Sequence, residues 1–144
     1  MKIKNMKYGS LVIEKREYVV LKKLMNLSGY YKDATLAKSV RKLVGELDAA
    51  QILDENEMPD DVIRFNSIIR IISDKGWEKS FQLVMPTESD VRNNKISILT
   101  PMGAAVMGYA EGDTVIWEFP LGEQKLTIQS VEQQNKHINV NMVL

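Results

Sequence analysis

The chain has no cysteine and a single histidine, His137. The first absence excludes a disulfide framework, a thiolate zinc site and a cysteine nucleophile, and it fits a reducing compartment. The second leaves a transition-metal site without paired imidazoles, and no Asp or Glu sits at ligand spacing from His137. Gly-rich phosphate loops and nucleophile elbows are missing, and no order of Ser, His and Asp makes a triad. No window approaches the roughly 20 apolar residues that span a bilayer. Met1 is followed by Lys2, Lys4 and Lys7 where a secretory signal would carry an apolar run. Two Trp, five Tyr and three Phe are dispersed along the chain, which argues against an aromatic-lined pocket. The expectation is a soluble cytoplasmic protein with no metal and no cofactor. Its 144 residues suit one domain, or one domain with a small appendage.

Net charge is zero, but it is unevenly spread. Residues 1–42 carry eleven Lys/Arg against Glu14, Glu17 and Asp33, a net +8, and residues 43–144 carry the balancing −8. Within the second part, Glu46, Asp48, Asp54, Glu55, Glu57, Asp60 and Asp61 form an acidic stretch without a base. The asymmetry describes either a dipolar molecule whose basic end meets an acidic partner or phosphate backbone, or a set of solvated helix faces.

The hydrophobic pattern changes period near residue 60. Before it, Tyr18, Leu21 and Met25 mark a first helix over residues 14–26, and Gly29 offers a stop. Asp33 or Thr35 can cap a second helix, whose seam Leu36, Val40, Leu43, Leu47, Ala50 is spaced 4, 3, 4, 3 like a coiled coil. The spacing predicts a helix over 34–54, and a short loop makes the two an antiparallel pair. Leu11-Val12-Ile13 is too short to assign. After residue 60, strands are expected over Val62–Ile72, Trp77–Met85, Lys95–Thr100, Thr114–Phe119, Glu123–Gln133 and His137–Leu144, with a short helix over Met102–Tyr109. Asp74-Lys75-Gly76 and Glu111-Gly112-Asp113 read as turns. The sum is α+β: a helical hairpin, then an antiparallel sheet with one short helix.

Two constellations stand out. Tyr30-Tyr31-Lys32, beside Asp33, falls at the hairpin tip, where aromatics and a cation can stack on a base or fill a partner's pocket, or a Tyr can close the hairpin's own core. The acids of 54–61 lack the glycine-turned, alternating loop of an EF-hand and read as solvated carboxylates.

Two stretches carry a family resemblance. Ile96-Ser97-Ile98-Leu99-Thr100-Pro101-Met102-Gly103-Ala104-Ala105-Val106-Met107-Gly108, followed by Glu111-Gly112-Asp113-Thr114-Val115, resembles the C-terminal domain of the bacterial transcript-cleavage factors GreA and GreB. Glu57–Ser67 and Ile116–Pro120 are similar to the family's shortened Rnk-like branch. The physical logic agrees: Pro fixes φ at the start of a helix, and Ala and Gly let it pack closely on a sheet.

The resemblance implies an N-terminal region, 1–58, built as a short antiparallel coiled coil, and an FKBP-like sheet domain over 59–144. It also implies RNA polymerase as partner, with possible contact to nucleic acid in that complex, and neither a membrane nor a small-molecule substrate. Docking falls to Leu99, Thr100, Pro101, Met102 and Gly103, and electrostatic steering to Lys22, Lys23, Lys38, Arg41 and Lys42. In cleavage factors a long hairpin carries acids at its tip that position a catalytic Mg²⁺. Here the hairpin is short and its tip offers one acid, Asp33, next to Lys32. Leu99 stands where cleavage factors place Asp or Asn. The reading that follows is a regulator without catalysis of its own, which competes with Gre-type factors at the secondary channel. The alternatives are a cleavage factor using Asp33, an FKBP-like peptide-binding or isomerase module, and nucleic-acid binding by the basic hairpin alone.

Overall fold

The computed structural model describes residues 6–27, 34–119 and 122–134. Glu14 begins the helical part: its carboxylate accepts the N–H groups of Arg16 and Glu17 at 3.1 Å each, an N-cap that satisfies two donors the first turn leaves orphaned. Helix α1 then spans Lys15–Leu27 and α2 spans Ala34–Leu47. Val20, Leu21, Leu24 and Met25 of α1 and Val40, Leu43 and Leu47 of α2 all lie in one buried apolar cluster, which extends into the sheet.

The expected second helix, 34–54, is too long. It ends at Leu47, where the N–H groups of Ala49 and Ala50 donate to Glu46 and Leu47 at 3.2 Å each, a three-residue tightening that closes a helix end. Strand β2, Gln51–Leu53, then pairs in parallel with β1, Val12–Glu14. The Leu11-Val12-Ile13 run therefore has a partner some 40 residues away in sequence.

The main sheet has five strands in the order β5-β4-β3-β7-β6, built from β3 (Ile68–Ser73), β4 (Glu78–Val84), β5 (Lys95–Ser97), β6 (Thr114–Phe119) and β7 (Gly122–Glu132). It is mixed where an antiparallel sheet was expected: β5 lies parallel to β4, and the other neighbours are antiparallel. The expected strand Val62–Ile72 is also divided. Val62 makes a lone bridge to Ala110, Asn66 takes a left-handed φ of 73°, and regular pairing starts only at Ile68. Strand β7 carries a bulge opposite Arg70/Ile71, which adds local twist.

Helix α3, Pro101–Val106, packs between α2 and the sheet. At its end Gly108 has φ 84°, and a Cβ there would lie 2.8 Å from Ile13 Cδ1. The left-handed conformation favours glycine, and a Cβ would also press on the buried side chains of Ile13 and Leu11. A single apolar cluster runs from Leu11 and Ile13 through both helices to Ile69, Phe81, Ile98 and Ile128. Among the described residues, no helix is long and apolar enough to cross a membrane.

Candidate functional site

The corner between β5 and α3 holds the five expected docking residues. Thr100 is extended, at φ −111° and ψ 159°. Its hydroxyl donates to the Ser97 carbonyl at 2.7 Å, and Oγ1 accepts the Gly103 N–H at 3.0 Å. Ser97 Oγ in turn accepts the Leu99 N–H at 2.9 Å. Pro101 follows as the first helical residue, where its missing N–H costs nothing. Leu99, Thr100, Pro101 and Met102 are half-buried, with Leu99 and Met102 resting on the core. Gly103 is buried beneath them. Thr100→Ala is expected to cost about 1 kcal/mol through loss of the cap, and Thr100→Ser clearly less; urea midpoints of the two variants check this.

The five residues expected to steer differ in their surroundings. Lys22 and Lys23 are half-buried on α1, with Lys22 Nζ 5.9 Å from the Tyr18 ring centre. Lys38 and Arg41 are exposed on α2. Lys42 is exposed but held: Nζ donates to Glu46 and to the Tyr109 hydroxyl at 3.0 Å each and lies 5.3 Å from the Tyr109 ring centre. The Tyr109 hydroxyl donates to Glu46 at 2.6 Å. Burial, and then the Glu46 carboxylate, raise the Tyr109 pKa, so the phenol stays protonated. Tyr30, Tyr31, Lys32, Asp33 and His137 lie outside the described residues.

The acids of 54–61, expected to be solvated, include two that pair with cations, Asp61 and Glu55, and Glu57, which accepts the Asp54 N–H at 3.0 Å. Asp61 accepts from Lys7, and from the Tyr8 hydroxyl at 2.8 Å. Glu55 takes a two-pronged contact from Arg64, at 2.7 and 2.8 Å, and a third bond from Arg16 at 3.0 Å. Arg64 also reaches Glu17 at 3.2 Å and Glu14 at 3.9 Å. Three carboxylates from three elements therefore share two guanidinium groups. Glu14 and Glu17 are only 2% and 3% exposed, which removes water as an alternative partner. Burial pushes the Glu17 carboxyl up to about 7 against the opposing pull of Arg64. The hydrogen bonds from Arg64 to Glu55 hold the guanidinium firmly protonated.

Sequence reasoning missed this cluster. Its signal was present: Glu14 and Glu17 are two of the three acids in a basic segment, and Arg64 is the first base after the acidic stretch. The cluster borders a polar cleft of about 320 Å³, whose lining includes Asp60, Phe65 and Gln133. Among the described residues, no group of three or more His, Cys, Asp or Glu is placed to hold a metal ion.

Comparison with known proteins gives this geometry a family. The family model described as transcription elongation factor, GreA/GreB, C-terminal, matches residues 58–133. The regulator of nucleoside diphosphate kinase of Escherichia coli (strain K12) is 39% identical over 82 residues, which are 56% of this chain and 60% of that protein. The match thus spans less than two thirds of that relative. The transcription elongation factor GreA of Chloroflexus aurantiacus is 32% identical over 110 residues, covering 72% of this chain and 70% of the relative. The solved structure of a prokaryotic transcription elongation factor GreA/GreB from Nitrosomonas europaea superposes with a TM-score of 0.68 at 28% identity, over 86% of this chain and 98% of that one. The chain belongs to the GreA/GreB family of transcription elongation factors.

Proposed function

We propose that this chain is a cytoplasmic regulator that binds RNA polymerase near its secondary channel and competes with Gre-type factors without stimulating transcript cleavage. Residues 59–144 act as an FKBP-like docking domain, and the α1–α2 pair acts as an antiparallel coiled-coil arm directed at the channel. One observation carries the reading: α1 and α2 have 13 and 14 residues, so each rises only about 20 Å. An arm this short stops well before a deeply placed active centre. Between the helices, residues 28–33 contain one carboxylate, Asp33, next to Lys32, and Mg²⁺ favours closely grouped oxygen ligands without a competing cation. Docking uses the capped corner at Thr100 and its half-buried apolar neighbours. The basic arm adds long-range attraction to an acidic or phosphate-lined channel.

Binding of purified polymerase, followed by surface plasmon resonance, tests the electrostatic part. Reversing two arm charges, Lys23→Glu with Arg41→Glu, is expected to slow association about tenfold at low ionic strength. At about 1 M salt, where the Debye length is about 3 Å, the difference should nearly vanish. An association rate indifferent to both the charge reversal and salt would remove the steering role. No binding at low salt would end the whole reading.

A further inference from the structure

We propose that Arg64 is a positioning residue: it sets the angle at which α1 leaves the sheet by tying the first turn of that helix and the 55–57 turn to the segment leading into β3. The proposal rests on reading the helical pair as an arm, and adds the element that aims it. Glu14 caps α1, Glu17 lies in its first turn, and Glu55 opens the turn after β2; all three carboxylates converge on one guanidinium. A planar guanidinium has fixed donor directions, so it holds a geometry that an ammonium does not.

Arg64 is itself anchored on the sheet side. Its N–H donates to the buried Ser67 hydroxyl at 2.9 Å, which donates to Gln133 Oε1 at 2.8 Å. The Gln133 amide in turn donates to the Val62 carbonyl at 2.6 Å. The tie therefore runs from the end of β7 through Arg64 to the helix cap.

The groups facing Glu17 are Arg64 from the β3 approach, Glu14 from β1 and Glu55 from the turn, with Arg16 paired to Glu14 and Glu55 and Asp60 on the same cleft. A tilt of α1 that admits water returns Glu17 to the ordinary carboxylate range, so the tilted form holds fewer protons near neutrality. Rising pH therefore favours the tilt, and the effect levels off above about pH 7.

The absence of cysteine allows spin labels at Asn26→Cys on α1 and Ser80→Cys on β4, both exposed positions. Pulsed electron resonance then reads the distance between them with no polymerase in the sample, so failure to bind polymerase and failure of this inference are separate results. The parent is expected to give one narrow distance at about pH 5 that broadens towards about pH 8. Arg64→Met should be broad at both, and Arg64→Lys should not restore the narrow distance. Glu17→Gln should be narrow at both, with the pH dependence lost. Glu55→Gln, at the most exposed carboxylate of the cluster, weakens the tie with less risk to folding and should broaden the distance. An unchanged narrow distance in folded Arg64→Met, or in Glu55→Gln should Arg64→Met fail to fold, would overturn the proposal.

Discussion

Arg64→Met is expected to lower the unfolding free energy by about 3–5 kcal/mol near pH 8. The side chain is 15% exposed and faces carboxylates that are 2% and 4% exposed. Removing it leaves the buried Glu14 with Arg16, itself half exposed, and takes from the buried Glu17 the cation it pairs with. The loss comes from charges left without a partner, which exceeds what the intact pair contributes.

The sign of the pH dependence follows from Glu17. Its carboxyl titrates at about 7 in the folded protein, above the roughly 4.3 of an unfolded chain. The folded state thus holds the extra proton between those values. The stability from Glu17 is fully present below about pH 4.3 and is lost as pH rises through about 7. Without Arg64, which pulls the value down, the loss extends to higher pH. Urea unfolding of parent and Arg64→Met near pH 5 and pH 8 should show a larger deficit at the higher pH. A deficit below about 1 kcal/mol and equal at both would place the cluster among ordinary surface pairs.

The second large effect lies at the corner between β5 and α3. A Cβ at position 103 would sit 2.3 Å from the Ser97 carbonyl oxygen and 3.0 Å from Ile98 Cα. Both are backbone atoms, so no side-chain rotation relieves the contact. The same carbonyl accepts the N–H of Thr100 at 3.1 Å and its hydroxyl, so moving it also disturbs the cap of α3. Gly103→Ala is expected to cost about 3 kcal/mol, the upper end of overpacking penalties, and to lower Tm by about 10 °C. Calorimetry decides: a Tm within about 2 °C of the parent would mean that the β5–α3 turn yields freely. The glycine matters for the proposed docking through the shape it permits, while Leu99, Pro101 and Met102 offer half-buried apolar edges.

Much of the sheet was legible because its signals are local. Asp74-Lys75-Gly76 joins β3 to β4, with Gly76 at φ 95°, and Gly112 takes φ 94° ahead of β6. Pro101 opens α3 one residue after its cap. The misread elements depend on contacts distant in sequence. Strands of three residues, such as Val12–Glu14 and Gln51–Leu53, are too short to display a period, and their pairing is visible only once the chain has folded. Ala50 continues the helical spacing and packs on the core from beyond the helix end, which is why the seam alone overextends α2. Val62, Ile63 and Phe65 are all buried outside the regular strands, so their apolar run mimics a strand that Asn66 interrupts. The capped start of α3 was readable from Thr100-Pro101. For the ion-pair cluster the sequence showed the out-of-place charges but not their partners, because residues 14 and 17 reach 55 and 64 only once β1 pairs with β2.

The most direct test of a regulator that occupies the channel without catalysis uses stalled elongation complexes with purified polymerase and an active cleavage factor. Adding this protein is expected to suppress factor-dependent transcript cleavage in a concentration-dependent manner, to stimulate none by itself, and to behave identically as Asp33→Asn. Transcript cleavage by this protein alone, abolished by Asp33→Asn, would contradict it.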